Sequence, residues 1–129
     1  MSFELRMLAW SVVLGLFQVL LAAQFSTLQR GIGWNMGARD EPVPPLKGVA
    51  GRLDRASRNF LETFPFFAAA VLIAEAADRT GALTWWGVQL YFWGRVVYLP
   101  VYALGVPGVR SAIWLMATFG LVLVLAALV

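Results

Sequence analysis

Arg55, Asn59 and Glu62 stand at i, i+4 and i+7 at the head of an apolar run, with Arg58 beside them. In a helix those three lie within about 60° of one another, and Glu62 sits about 10 Å along the axis from Arg55. A second set, Tyr91, Arg95, Tyr98 and Tyr102 (i, i+4, i+7, i+11), makes one stripe in another apolar run. Arg95 is about 14 Å from the end of that run at Leu104. An ionisable group at bilayer depth costs a few kcal/mol, so it is normally paired or turned into a cavity. Glu62 is the expected counter-charge for Arg95, because leaving either alone costs more than pairing them. On this reading both sets form one buried polar site, with Arg110 on the same side.

Blander readings exist for each part. Glu62 can pair with Arg58 on its own helix, basic residues commonly mark a cytoplasmic helix end, and a tyrosine stripe alone is more often packing. An arginine within the stripe favours chemistry. Arginine receives carboxylates bidentately, while Glu62 and Asn59 suit an ammonium or amide donor. An arginine beside a thiol also lowers its pKa and so favours the nucleophilic thiolate. A small anion with polar ends fits such a cavity. Glutathione, with two carboxylates, an amine, amides and a thiol, is one of several candidates.

The elements that must position these residues follow from hydropathy. The chain has 129 residues, 60% hydrophobic and 13% charged, outside the usual soluble range. Its apolar blocks are long enough for a hydrocarbon core of about 30 Å. We expect an all-α membrane protein, a single domain over 1–129 built as a four-transmembrane-helix bundle. The expected helices are about 5–28, 55–77, 83–104 and 110–129, with a loop over 29–54. The first block is longer than a signal-peptide core and is read as a retained helix. In the third, Pro100 removes the donor for the Val96 carbonyl and should kink the helix. In the first, Ser11, Gly15, Gln18, Ala22 and Gln29 share a small or polar face suited to close packing.

The chain has no cysteine and no histidine, which excludes disulfides, thiolate and imidazole catalysis and the usual zinc or haem sites; no metal site is expected. Six of its ten basic residues (Arg30, Arg39, Lys47, Arg52, Arg55, Arg58) lie in or beside the first connection. The positive-inside rule makes that face cytoplasmic and leaves both termini outside. The net charge of +3 thus reports topology rather than a nucleic-acid partner. "DEPVPP" at 40–45 resists helix, and so long a connection in so small a protein reads as either a linker or a lid.

The segments "RASRNFLETFP" at 55–65 and "GRVVYLPVY" followed by "VRS" at 94–111, in this order and spacing, resemble the MAPEG family, membrane-associated proteins in eicosanoid and glutathione metabolism. The likeness runs along nearly the whole chain, and "GWNMGARD" in the first loop brings it nearest to compact bacterial members. It implies a bacterial inner-membrane homotrimer with glutathione bound between subunits near the cytoplasmic side. Arg55, Asn59 and Glu62 look like glutathione-binding residues, with Arg58 matching an arginine of some members. Arg95, Tyr98 and Tyr102 look like the glutathione contacts of the third helix, and Arg30 like an arginine near the ligand. Arg110 resembles the arginine that stabilises the thiolate, and Ser111 matches a serine of one branch. Some members carry histidine where this chain has Tyr98, and Trp114 stands where relatives differ. The implied activity is a glutathione-dependent transferase or peroxidase acting on lipophilic electrophiles, with glutathione as co-substrate. The alternatives are a non-catalytic binding or assembly protein of the same fold and a small-molecule transporter, the last disfavoured by the lack of an inverted repeat.

Overall fold

The computed structural model describes residues 1–129 as five helices without a strand. Ser2 starts α1 (Phe3–Arg30) by accepting a hydrogen bond from the Leu5 amide on its side chain. Gly31 stops it, at φ 93°. A five-residue α2 (Ile32–Met36) follows inside the connection. After Pro42, Pro44 and Pro45 the chain turns helical again as α3 (Gly48–Ala76), through an internal Pro65. Thr84 takes the Gly81 amide at 2.8 Å at the head of α4 (Ala82–Ala103), which continues through Pro100. Short turns join α3 to α4 and α4 to α5 (Val109–Ala126), making each pair antiparallel neighbours.

Two boundaries differ from the sequence expectation. The helix expected from 55 begins at 48, because Arg52, Asp54 and Arg55 hide its first two turns from a reading based on apolar length. The connection expected over 29–54 therefore shrinks, and it contains a helix.

Helices α1, α3 and α5 are long and apolar enough to cross a membrane. At 22 residues, α4 is not among them. Its three tryptophans, three tyrosines, Gln89 and Arg95 make it more polar than its length alone would suggest.

The core lies in two clusters. One joins Phe60, Phe67, Val88, Tyr91, Leu121 and Val124 toward the end that carries the termini, with Phe67 stacked on Tyr91 at 3.9 Å between ring centres. The other joins Ala22, Leu53, Ala56, Tyr98 and Leu99 near the end that carries the long connection. Only 29 of 129 residues are buried, and many large apolar side chains point outward. On α1 these include Val12, Val13, Leu16, Phe17 and Leu20, a surface suited to lipid or another subunit rather than water. At the far end Thr84 donates to the buried Glu4 carboxylate at 2.9 Å, and Ser2 donates to Glu75. These bonds clasp α1 to α3 and α4.

Candidate functional site

The polar residues gather where the first half of α3, the last half of α4 and the start of α5 meet. Arg95 is 1% exposed. Its Nη1 donates to Asn59 Oδ1 at 2.8 Å, and its guanidinium stands 4.4 Å from the Tyr98 ring and 5.4 Å from Phe60. Two aromatic faces and one amide therefore accommodate this buried cation. Glu62 does not pair with it. The carboxylate is exposed on the protomer, and the sole ion pair joins Arg58 to Asp54 at 3.3 Å. The expectation of a Glu62–Arg95 pair fails because Asn59, one turn before Glu62, occupies the side of α3 that meets α4. Arg58 likewise turns back to Asp54 rather than forward to Glu62.

Closer to the end of the bundle, Tyr102 meets two arginines. Arg55 Nε donates to its hydroxyl at 3.2 Å. The guanidinium of Arg110 is 5.0 Å from the ring, and that of Arg55 is 6.0 Å away. Tyr98 and Tyr102 are adjacent, 5.5 Å between centroids. One ring thus ties together α3, α4 and α5.

The expected residues do not share one cavity within the protomer. A smaller cavity of about 340 Å³ is lined by Asn59, Tyr98, Arg110, Ser111, Trp114 and Leu115. A larger one of about 560 Å³ lies on the α1 side of α3, where Arg30, Arg39, Asp54, Arg55, Ser57 and Arg58 face the first connection. Glu62 lines neither. Arg55 links them, since it borders the larger cavity while bonding Tyr102. Trp114 in the wall of the smaller cavity and Arg30 in that of the larger each have a buried donor without a protein acceptor, Nε1 and Nε. With four arginines against one carboxylate in the larger cavity and Arg110 without a carboxylate in the smaller, both walls suit anionic groups.

The connection itself is built with side chains. Trp34 is flanked by Arg30 at 4.9 Å and Arg39 at 5.4 Å, and its indole donates to the Glu41 carbonyl at 3.3 Å. Asn35 donates to Thr27 Oγ1 at 2.9 Å and accepts from Arg39. Gln29 grips the Lys47 peptide from both sides, Nε2 to the carbonyl at 3.2 Å and the amide to Oε1 at 2.8 Å. The connection thus roofs the larger cavity. Sequence reasoning gave Trp34, Asn35 and Arg39 no role at the site. It also missed Arg52, whose Nε donates to the Ala103 carbonyl at 2.7 Å and so caps α4. These contacts span a loop or two helices, and no fixed spacing announces them.

A model of the MAPEG family matches residues 7–129. The chain belongs to the MAPEG family. No curated protein matches it. Family membership and the three apolar helices are those of an integral membrane protein. For a MAPEG protein, the placement of Arg55, Asn59, Arg95, Tyr98, Tyr102 and Arg110 around one helix junction brings together most of the residues that the sequence motifs single out. Arg30 and Arg58 stand apart on the α1 side, and Glu62 stands outward.

Proposed function

We propose that this MAPEG protein binds glutathione and transfers its sulfur to lipophilic electrophiles that reach the site from the bilayer. The observation that carries this reading is the pair of arginines, Arg55 and Arg110, that meet at the Tyr102 ring, with Arg110 in the wall of the smaller cavity. Arg55, Asn59, Tyr98 and Tyr102 would hold the tripeptide through its carboxylates and amides. Arg110 would stabilise the thiolate, and Ser111 beside it offers a further hydroxyl. The sulfur then attacks the electrophilic carbon, a carbon–sulfur bond forms, and the leaving group departs with its electron pair. With no histidine in the chain, the contribution is fixed positive charge rather than proton abstraction.

A homotrimer accounts for what a single protomer leaves open. Glu62 is exposed on the second apolar helix, where lipid is a costly neighbour for a carboxylate. A neighbouring subunit would cover it and join the two cavities into one binding site with Arg30 and Arg58.

We also read α4 as a fourth span. Its 22 residues reach about 33 Å, and Tyr91, Arg95 and Tyr98 are buried, so the polarity that lowers its hydropathy faces protein. The excess of basic residues beside the first connection supports a site on the cytoplasmic side. A reporter after Val129 should then be external and one near Lys47 internal; the opposite result would discard the orientation.

The deciding experiment is an assay of purified protein for glutathione binding and for conjugation of 1-chloro-2,4-dinitrobenzene. Binding with turnover supports the transferase. Binding without turnover of this or other electrophiles would leave a non-catalytic binding protein, and absence of binding would remove glutathione altogether.

A further inference from the structure

The face of α1 that turns into the protomer carries Ser11, Gly15, Gln18 and Ala22, all buried. Gly15 lies against Phe60, where a Cβ would come within 2.7 Å of the ring. Ala22 packs in the cluster that contains Tyr98. The Arg95 guanidinium stands between those same two rings. Gln18, about one turn from Gly15 and from Ala22, therefore comes level with Arg95.

Gln18 is 2% exposed and Arg95 1%. Four of their polar atoms are buried without a protein hydrogen-bond partner: Nε2 and Oε1 of Gln18, Nε and Nη2 of Arg95. Only Arg95 Nη1 is engaged, by Asn59. Native interiors satisfy such groups with protein or with ordered water, because leaving them unmade costs the full desolvation of each.

We propose that Gln18 and the Nε–Nη2 edge of Arg95 hold an ordered water inside the bundle, and that Gln18 is thereby a positioning residue for Arg95 and Asn59. The chemistry selects water. The guanidinium edge offers two donors, and Gln18 Oε1 needs one. A water accepts both and donates one, about the three bonds typical of buried water, and so partners three of the four atoms, all but Gln18 Nε2. An anion could accept from the guanidinium edge and from Gln18 Nε2 but would leave Oε1 unpartnered, whereas water serves donors and acceptor together. With its free edge anchored, Arg95 keeps Nη1 on Asn59 and so fixes that amide in the wall of the smaller cavity. The proposal does not depend on glutathione being the ligand.

The test uses the full-length protein in lipid nanodiscs with ¹⁵N-arginine. The Nε–H resonance of Arg95, assigned by its loss in Arg95→Lys, should receive magnetisation from water in the wild type. Gln18→Met, apolar and of similar length, should abolish that transfer and lower the thermal midpoint by about 3 °C or more. Absence of transfer in the wild type would overturn the proposal, and this measurement needs no variant to fold. So would a Gln18→Met protein that is more stable with the Arg95 signal unmoved, because the amide would then be an isolated unsatisfied group. A resonance that moves when chloride is exchanged for a larger anion would assign the edge to an anion instead.

Discussion

Arg95 and Asn59 are bonded to each other, Nη1 to Oδ1 at 2.8 Å, while the one carboxylate on that part of α3, Glu62, is exposed and outside the contact. A double-mutant cycle on Asn59→Ala and Arg95→Leu should therefore give a coupling of about 0.5–3 kcal/mol in unfolding stability. A cycle on Glu62→Gln and Arg95→Leu in the monomeric state should be additive within about 0.5 kcal/mol. Strong coupling in the second cycle and none in the first would reverse the assignment.

The Tyr102 ring separates two contributions. Tyr102→Phe removes the hydroxyl that accepts from Arg55 but keeps the face presented to both guanidinia. It should weaken glutathione binding by about two- to fivefold. Tyr102→Leu removes both and should cost about tenfold or more. Isothermal titration measures the difference, and equal losses would show that the ring contributes nothing.

Arg110→Ala should raise the pKa of the bound glutathione thiol by about one or more, while Arg55 and Tyr102 retain part of the affinity. The sign follows from charge: removing a cation disfavours the thiolate, so conjugation falls near neutral pH and recovers as pH rises. Arg110→Lys should lie between, keeping charge but losing the planar fork. The thiolate absorbance titrated with pH reads this directly. An ordinary thiol pKa in the wild type would remove Arg110 as activator.

The α4–α5 contact is closed by Gly87 and Gly120. A Cβ on Gly120 would come within 2.6 Å of the Gly87 carbonyl and 2.7 Å of the Tyr91 amide. Both neighbours are backbone, so neither can swing away. Gly120→Ala should destabilise the protein by about 1–3 kcal/mol, measured as a lower thermal midpoint. A neutral result would mean that α5 can move off α4 freely.

Much of the fold was legible because membrane helices carry their signal in length and apolar content. That signal placed α1 and α5 within a few residues. It misplaced the start of α3, where Arg52 and Asp54 are helical yet polar. The Tyr91–Arg95–Tyr98 stripe was legible from period alone, as was the buried face of α1 through Ala22; Gln29, expected on that face, instead grips Lys47. Which amide or carboxylate meets Arg95 was not, since Asn59 and Glu62 differ by a single turn and the choice depends on how α3 is rotated against α4. The division of the arginines between two cavities was equally hidden, because Arg55 meets Tyr102 beside Arg110 yet lines the larger cavity with Arg58.

The grip of Gln29 on Lys47 limits the freedom of the chain between them. Two hydrogen bonds from one side chain fasten both ends of the segment between them, so the chain there is a tethered ring whose closure entropy is already spent. At its corners Gly31 and Gly48 sit in the left-handed region, at φ 93° and 60°. The freedom of the segment over the larger cavity is therefore limited by Gln29 and by the packing of Trp34 against Arg30 and Arg39.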